Sequence, residues 1–338
     1  MGNNRIWLIV ALVLVVIGAV IFVAVMSANN WDFSKLGTAK FEENEHKPEG
    51  EFNGITVNTV TADLTILPSD DGECRVVCRE RENLKHSVSV KDGRLLIQAI
   101  DERQWYHHIG VFGKENIALY LPEAEYAELI VKTDTGDVSV PESIRFGSAD
   151  ISTDTGDVTY KAPTGGDVKI TTDTGDTEYT ADVAGKLSIS ASTGDISIDG
   201  VSCESADLSV STGRVTVTGL DCSGDLSLKV STGKAKLDGV TCRSFISSGN
   251  TGDLNMKRVV ASEKFDIKRS TGDVDFEGCD AAEIVVVIST GDVKGTLLTE
   301  KIFFVSTDTG EVEVPKSTSG GMCEITTSTG DVKLSIQG

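Results

Sequence analysis

From residue 131 onward, apolar and polar side chains alternate with a period of two, and a Thr-Gly pair interrupts the alternation at regular intervals. The glycines of these pairs are Gly136, Gly156, Gly175, Gly194, Gly213, Gly233, Gly252, Gly272, Gly291, Gly310 and Gly330, always 19 or 20 residues apart. Five residues before each glycine stands Val, Ile or Leu, with Ser247 the exception. Two residues after it stands a residue such as Val138, Val158, Ile196 or Val332, and the position two further on is again mostly apolar, Gly295 being an exception. Alternation on both sides of a glycine predicts two short strands with one wet and one buried face. Self-similarity at this period predicts that each unit buries its apolar face against its neighbours. The predicted fold class is therefore all-β, a β-solenoid of 19-20-residue coils.

The Thr-Gly step suits a corner, because glycine accepts positive φ and a neighbouring Asp, Asn or Ser can bond the turn backbone. A second glycine six residues later, at Gly200, Gly219, Gly239 and Gly278, predicts another corner. Stacking the eleven coils in succession at about 4.8 Å gives a rod roughly 50 Å long. Residues 133–338 are the regular repeats. Residues 52–132 alternate with looser spacing, as in Ile55-Thr56-Val57 and Leu95-Leu96-Ile97, and predict irregular N-terminal coils that cap the open end of the sheet.

The first thirty residues follow another pattern. Trp7 to Met26 is a run of twenty residues without a charge, the length of a helix crossing a hydrocarbon core of about 30 Å. Arg5 precedes the run, and Asp32, Glu42 and Glu43 follow it, which places the N-terminus in the cytoplasm and the C-terminal domain outside. Residues 1–30 are expected to be an uncleaved anchor. A removed signal is the competing reading, weakened by the length of the run and a poor cleavage site. Residues 31–51 read as a polar linker.

Charge narrows the partners. The net charge is −21, and without Arg5 the exported part carries about −22, which repels nucleic acid and anionic headgroups. Cations, basic peptides and neutral glycans remain as ligands, so a glycan, a basic peptide or an envelope protein is the expected partner, with the membrane engaged through the helix. The same acidity also serves solubility alone, by keeping sheet edges apart. Seven cysteines in an exported chain usually mean disulfides. Here Cys203, Cys222 and Cys242 each stand nine residues after a turn glycine, which predicts an interior column of buried thiols on adjacent rungs. A disulfide between neighbouring rungs and a thiolate metal site are the alternatives.

The residue after the turn glycine is acidic in nine coils and is Arg214 or Lys234 in two. In the first three coils the residue before the threonine is acidic too. This gives six carboxylates, Asp134, Asp137, Asp154, Asp157, Asp173 and Asp176, as weak calcium candidates. The ordinary role of Asp in a turn competes, and the Gly-Gly-x-Gly-x-Asp nonapeptide of calcium β-rolls is absent. No other cofactor is expected. Trp105, Tyr106, His107 and His108 form the one aromatic-rich segment and a contact-patch candidate. The chain has no nucleophile elbow, phosphate loop or zinc-binding His pair, so no catalytic residue is assigned and the protein is expected not to be an enzyme.

The units Ser270-Thr271-Gly272-Asp273-Val274, Ser289-Thr290-Gly291-Asp292-Val293 and Ser328-Thr329-Gly330-Asp331-Val332 carry a resemblance. With the upstream Ala62-Asp63-Leu64-Thr65-Ile66, an exported array of this kind resembles the bacterial family of unknown function labelled putative adhesin, also called Toastrack. The resemblance spans roughly residues 50–338 and implies a cell-envelope protein, with relatives linked to membrane-stress sensing. It brings no active site, because the motif is structural. The expected function is that of a membrane-anchored, adhesin-like binding or structural module of the cell envelope. A component of an envelope-stress sensor is the alternative, and a polysaccharide-acting β-helix enzyme the third reading.

Overall fold

The computed structural model describes residues 3–28, 31, 41–101 and 114–337. Asn3–Ala28 is a single helix, long and apolar enough over Val10–Ala28 to cross a membrane. The contact-patch candidates Trp105 to His108 lie outside the described residues.

From residue 125 the chain winds into coils, each named here by its turn glycine. In the Gly156 coil, Arg145–Thr155 runs into the corner and Val158–Tyr160 leaves it. Both stack in parallel and in register on the next coil, with Ile151 beside Ile170 and Val158 beside Thr177. Equivalent positions therefore form columns, and the inward ones make one continuous core of Val, Ile and Leu. Each such side chain contributes roughly 1.5–3 kcal/mol on burial. Larger side chains stack within the columns: the Tyr160 and Tyr179 rings lie 5.4 Å apart and nearly parallel. The eleven Thr-Gly glycines have φ between +128° and +158°. Gly200, Gly219, Gly239 and Gly278, at φ +62° to +67°, turn the second corner in the ordinary left-handed region.

The ends depart from simple succession. At the N-terminal end, Gly54–Thr59 pairs with both Arg94–Asp101 and Glu125–Thr135, so an early stretch of chain sits between two later ones. Ala62–Pro68 is likewise inserted, between Glu115–Leu121 and Val138–Val140. The end is then closed by antiparallel strands: Leu84–Lys91 on Arg94–Asp101, Arg75–Arg81 on Glu115–Leu121, and Phe41–His46 on Arg75–Arg81.

At the C-terminal end the last two coils exchange places. Gly321–Thr329 pairs with Val274–Thr290, and Lys301–Thr309 pairs with Gly321–Thr329 from outside. The Gly330 coil is thus the penultimate rung and the Gly310 coil the terminal one. A glycine pair permits the return. A Cβ at Gly320 would lie 1.9 Å from the Glu300 carbonyl oxygen, and one at Gly321 2.1 Å from that of Ala282. Side chains would block the chain from slipping back between the rungs. The exposed terminal rung leaves Val312 47% accessible, whereas Val332, its counterpart one rung in, is fully buried.

Candidate functional site

The corner column is a hydrogen-bond ladder. Each Asp after a turn glycine offers Oδ1 to the backbone N–H of the same position on the next rung. The N–H of Asp137 donates to Asp63 Oδ1 at 3.0 Å, Asp157 to Asp137 at 2.9 Å, Asp176 to Asp157 at 2.8 Å, and Asp195 to Asp176 at 2.8 Å. The ladder ends with Arg214 donating to Asp195 at 2.7 Å, and resumes where Asp273 donates to Asp253. It then follows the spatial order, Asp292 to Asp331 to Glu311, including the exchanged coils. The two cations in the gap pair with its flanking carboxylates, Arg214 with Asp195 at 3.4 Å and Lys234 with Asp253 at 3.0 Å.

The structure brings the six calcium candidates to one corner. In Asp137, Asp157 and Asp176 one carboxylate oxygen is occupied by an amide, while Asp134, Asp154 and Asp173 are exposed beside the turn. Asp137 is also approached by Lys114 at 3.3 Å.

Cys203 and Cys222 sit directly across from each other on adjacent rungs, with their sulfurs 2.7 Å apart, and Cys242 continues the column. All seven cysteines are unbridged thiols. Hydrogen bonding to Cys203 and burial push the Cys222 thiol up, and burial pushes Cys242 up to about 12. Protonated thiols of this kind are poor nucleophiles.

Cys203 also lines a groove of about 680 Å³ along one flank of the rod. The groove crosses successive rungs where the coils close. Its floor includes Phe146, Pro163 and Val183, and its rim carries Arg145, Asp182 and Glu204. Thr164, its hydroxyl 2.7 Å from that of Tyr160, anchors the floor through isolated bridges to Phe146 and Val183. An open trough with an apolar base and polar rim can hold an elongated, hydroxyl-rich ligand, but it sequesters no reacting group from water.

The N-terminal cap holds a buried polar cluster that sequence reasoning missed. Glu80 accepts from Asn44 Nδ2 at 2.7 Å and from the His86 backbone N–H at 2.7 Å, with His86 Nδ1 2.9 Å away. His86 Nε2 lies 2.9 Å from the Thr59 hydroxyl. Cys78, Glu80 and His86 bring one potential metal-ligating atom each within 4.8 Å of one another. The carboxylate and imidazole are already satisfied by protein partners, so the cluster fits a structural staple of the cap. The signal was present in the sequence: Val76, Cys78 and Glu80 share one strand face, which puts a carboxylate in an apolar column. Next to it, buried Arg81 pairs with buried Glu115, which also accepts from Thr61.

Comparison with known proteins places this architecture. No curated protein matches the chain. Among solved structures, a putative adhesin from Parabacteroides distasonis is 15% identical over 88% of this chain and 98% of its own, with a TM-score of 0.46. A putative adhesin from Bacteroides fragilis is 17% identical over 88% and 97%, TM-score 0.34. One from Parabacteroides merdae is 12% identical over 87% and 97%, TM-score 0.44. The profile of Toastrack DUF4097 matches residues 52–238 and 220–338, nearly the whole rod, and the chain belongs to that family.

Proposed function

We propose that the protein is a single-pass membrane protein whose rod is displayed outside the cell, where it acts as an adhesin-like module that binds glycan. The observation that carries this reading is the exposed apolar helix. Leu12 and Leu14 are each 64% accessible and Val15 68%, and only 6% of the Val10–Ala28 window is buried within the protein. A surface of that kind favours a lipid surround, because transfer from water yields about 25 cal/mol per Å². The charge bias around the helix favours a cytoplasmic N-terminus. Outside, the flank groove supplies an extended polar-rimmed trough of the kind a saccharide chain fits. The reading assigns no catalytic step and no cofactor.

The test is surface labelling of intact cells producing the full-length protein with a membrane-impermeant amine reagent. Lysines of the rod should label, and the protein should stay in the membrane fraction after carbonate extraction. Lysines protected until lysis, or release of the rod without its helix, would sink the proposal.

A further inference from the structure

Where the corner column loses its carboxylates, the adjoining strand face changes character too. A groove of about 300 Å³ crosses Leu226–Thr251 and Leu254–Thr271. Lys229 and Lys268 stand on its walls, among the neutral polar side chains of Ser231, Ser248, Asn250 and Ser270. None of its lining residues is acidic, although the chain has 52 acidic residues against 31 basic ones. Lys268 pairs with Asp266 at 3.3 Å, whereas Lys229 has no ion pair among the described residues.

A third cation belongs to the same groove. Arg269 occupies an inward column that holds Thr172, Ala191, Val210 and Val230 in other coils, and it is only 4% exposed. Its partners are neutral: Nη1 donates to the Gly252 carbonyl and Nη2 to the Ser247 hydroxyl, both at 3.3 Å. Nε is buried without a partner among the described residues. Burial lowers its pKa to about 10, with Asp253, itself paired to Lys234, acting in the other direction. Ser247, the break in the aliphatic column, is thus a ligand of this guanidinium. Gly249 lines the groove directly over it, since a Cβ there would stand 2.4 Å from Nη1. A buried charge without a contacting counter-ion is costly, and the Gly249 backbone lies between this one and the groove.

We propose that the groove is a binding site for a carboxylate-bearing saccharide, the carboxylate held by Lys229 and Lys268 over Arg269 and the sugar hydroxyls by Ser231, Ser248, Asn250 and Ser270. The proposal rests on the reading of the rod as a glycan-binding module and names the ligand class. A polyanion is disfavoured, because the chain as a whole carries −21 and repels one. An isolated carboxylate on an otherwise neutral sugar meets the cations without meeting that field. A peptide added as an extra strand is disfavoured as well, because these strands are paired on both sides. Val287, 42% exposed at the groove's side, offers an apolar surface to a sugar ring.

The test is calorimetric titration of the full-length protein in detergent with sodium glucuronate, with glucose as the neutral control. Glucuronate should bind at low salt and glucose should not. The Lys229→Ala/Lys268→Ala double variant, which leaves the core untouched and whose folding is checked by circular dichroism, should weaken glucuronate about tenfold, or ~1.4 kcal/mol. Equal binding of the two sugars, no glucuronate binding, an unchanged affinity in the double variant, or preference for a poly-glutamate peptide would each overturn the proposal. A glycan array separates the two levels. Capture of neutral glycans without glucuronate binding sinks the groove assignment and leaves the glycan-binding reading standing. An empty array alongside variant-sensitive glucuronate binding upholds the anion site and sinks the glycan-binding reading.

Discussion

Replacing Gly194 by alanine tests the corner column where its physics is most exposed, because Gly200 in the same coil provides an internal control. Gly194 has φ +143°, and a Cβ there would lie 2.0 Å from the Gly175 carbonyl oxygen. Ordinary contact requires the two corners to part by more than about 1 Å, a large share of the roughly 4.8 Å rung spacing. That movement breaks the Gly175 N–H bond to the Thr193 carbonyl (3.0 Å) and the Asp195 N–H bond to Asp176 Oδ1 (2.8 Å). Two hydrogen bonds at about 1 kcal/mol each, with about 1–3 kcal/mol of backbone strain, give a loss of roughly 3–5 kcal/mol. Gly200 has φ +64° and open space where its Cβ would go, so alanine there costs only the left-handed strain, roughly 1–2 kcal/mol. Long arrays depart from two-state unfolding, so native-state hydrogen exchange at the Gly175 and Asp195 amides should accompany urea midpoints. Equal destabilisation by the two substitutions, with these amides equally protected in both, would refute the stacking argument.

Other consequences of the ladder are also measurable. Asp176→Asn keeps the Oδ acceptor and relieves repulsion of a little under 1 kcal/mol from each of Asp157 and Asp195, but it turns a charge-assisted amide bond into a neutral one at a cost of about 1–2 kcal/mol, so its stability should stay within about 1 kcal/mol of wild type. Asp176→Ala removes the acceptor and should cost about 1 kcal/mol; urea midpoints of the pair check the order. The Asp331 carboxyl is lowered chiefly by the Glu311 N–H and then by Lys333, and that of Asp253 chiefly by Lys234. Because their folded values lie below the ordinary 3.8, their contribution is full above that pH and is lost as pH falls through the folded values. Melting temperature should therefore hold from pH 7 to about 5 and fall below about 4. Millimolar calcium added to metal-stripped protein should leave the melting temperature unchanged, since three of the six candidate carboxylates already give one oxygen to an amide; a rise of several degrees would assign calcium to the corner. Alkylation of the denatured, unreduced protein should label all seven cysteines, and fewer than five labelled would contradict the thiol column.

The repeat made the coil legible because corner and columns are local: a glycine that must turn, and apolar residues two apart. Its exceptions were legible as positions but not as causes. Ser247 breaks the aliphatic column because Arg269, 22 residues later, lies on it, and a partner one rung away has no signature in a single coil. The order of the last two coils was hidden altogether. Gly291, Gly310 and Gly330 keep the same spacing whether the coils stack in succession or exchange, and only Gly320 and Gly321 mark the return. In the cap, the Glu80–His86 pair forms between antiparallel strands whose register no period sets. The acidic column was visible as a line of charge, but the amide acceptor role of its Oδ1 atoms depends on parallel in-register stacking. Trp105 to His108 fall outside the described residues, and their role as a contact patch rests on sequence alone.

The central claim, that this rod is an anchored glycan-binding module with its charged specificity set at the Lys229, Lys268 and Arg269 groove, is tested most directly on a glycan array. Full-length protein in lipid nanodiscs should be retained by saccharides bearing isolated carboxylates and lose that retention in the Lys229→Ala/Lys268→Ala variant. Retention by no glycan, while the folded protein is captured by basic peptides or envelope protein, would contradict the account.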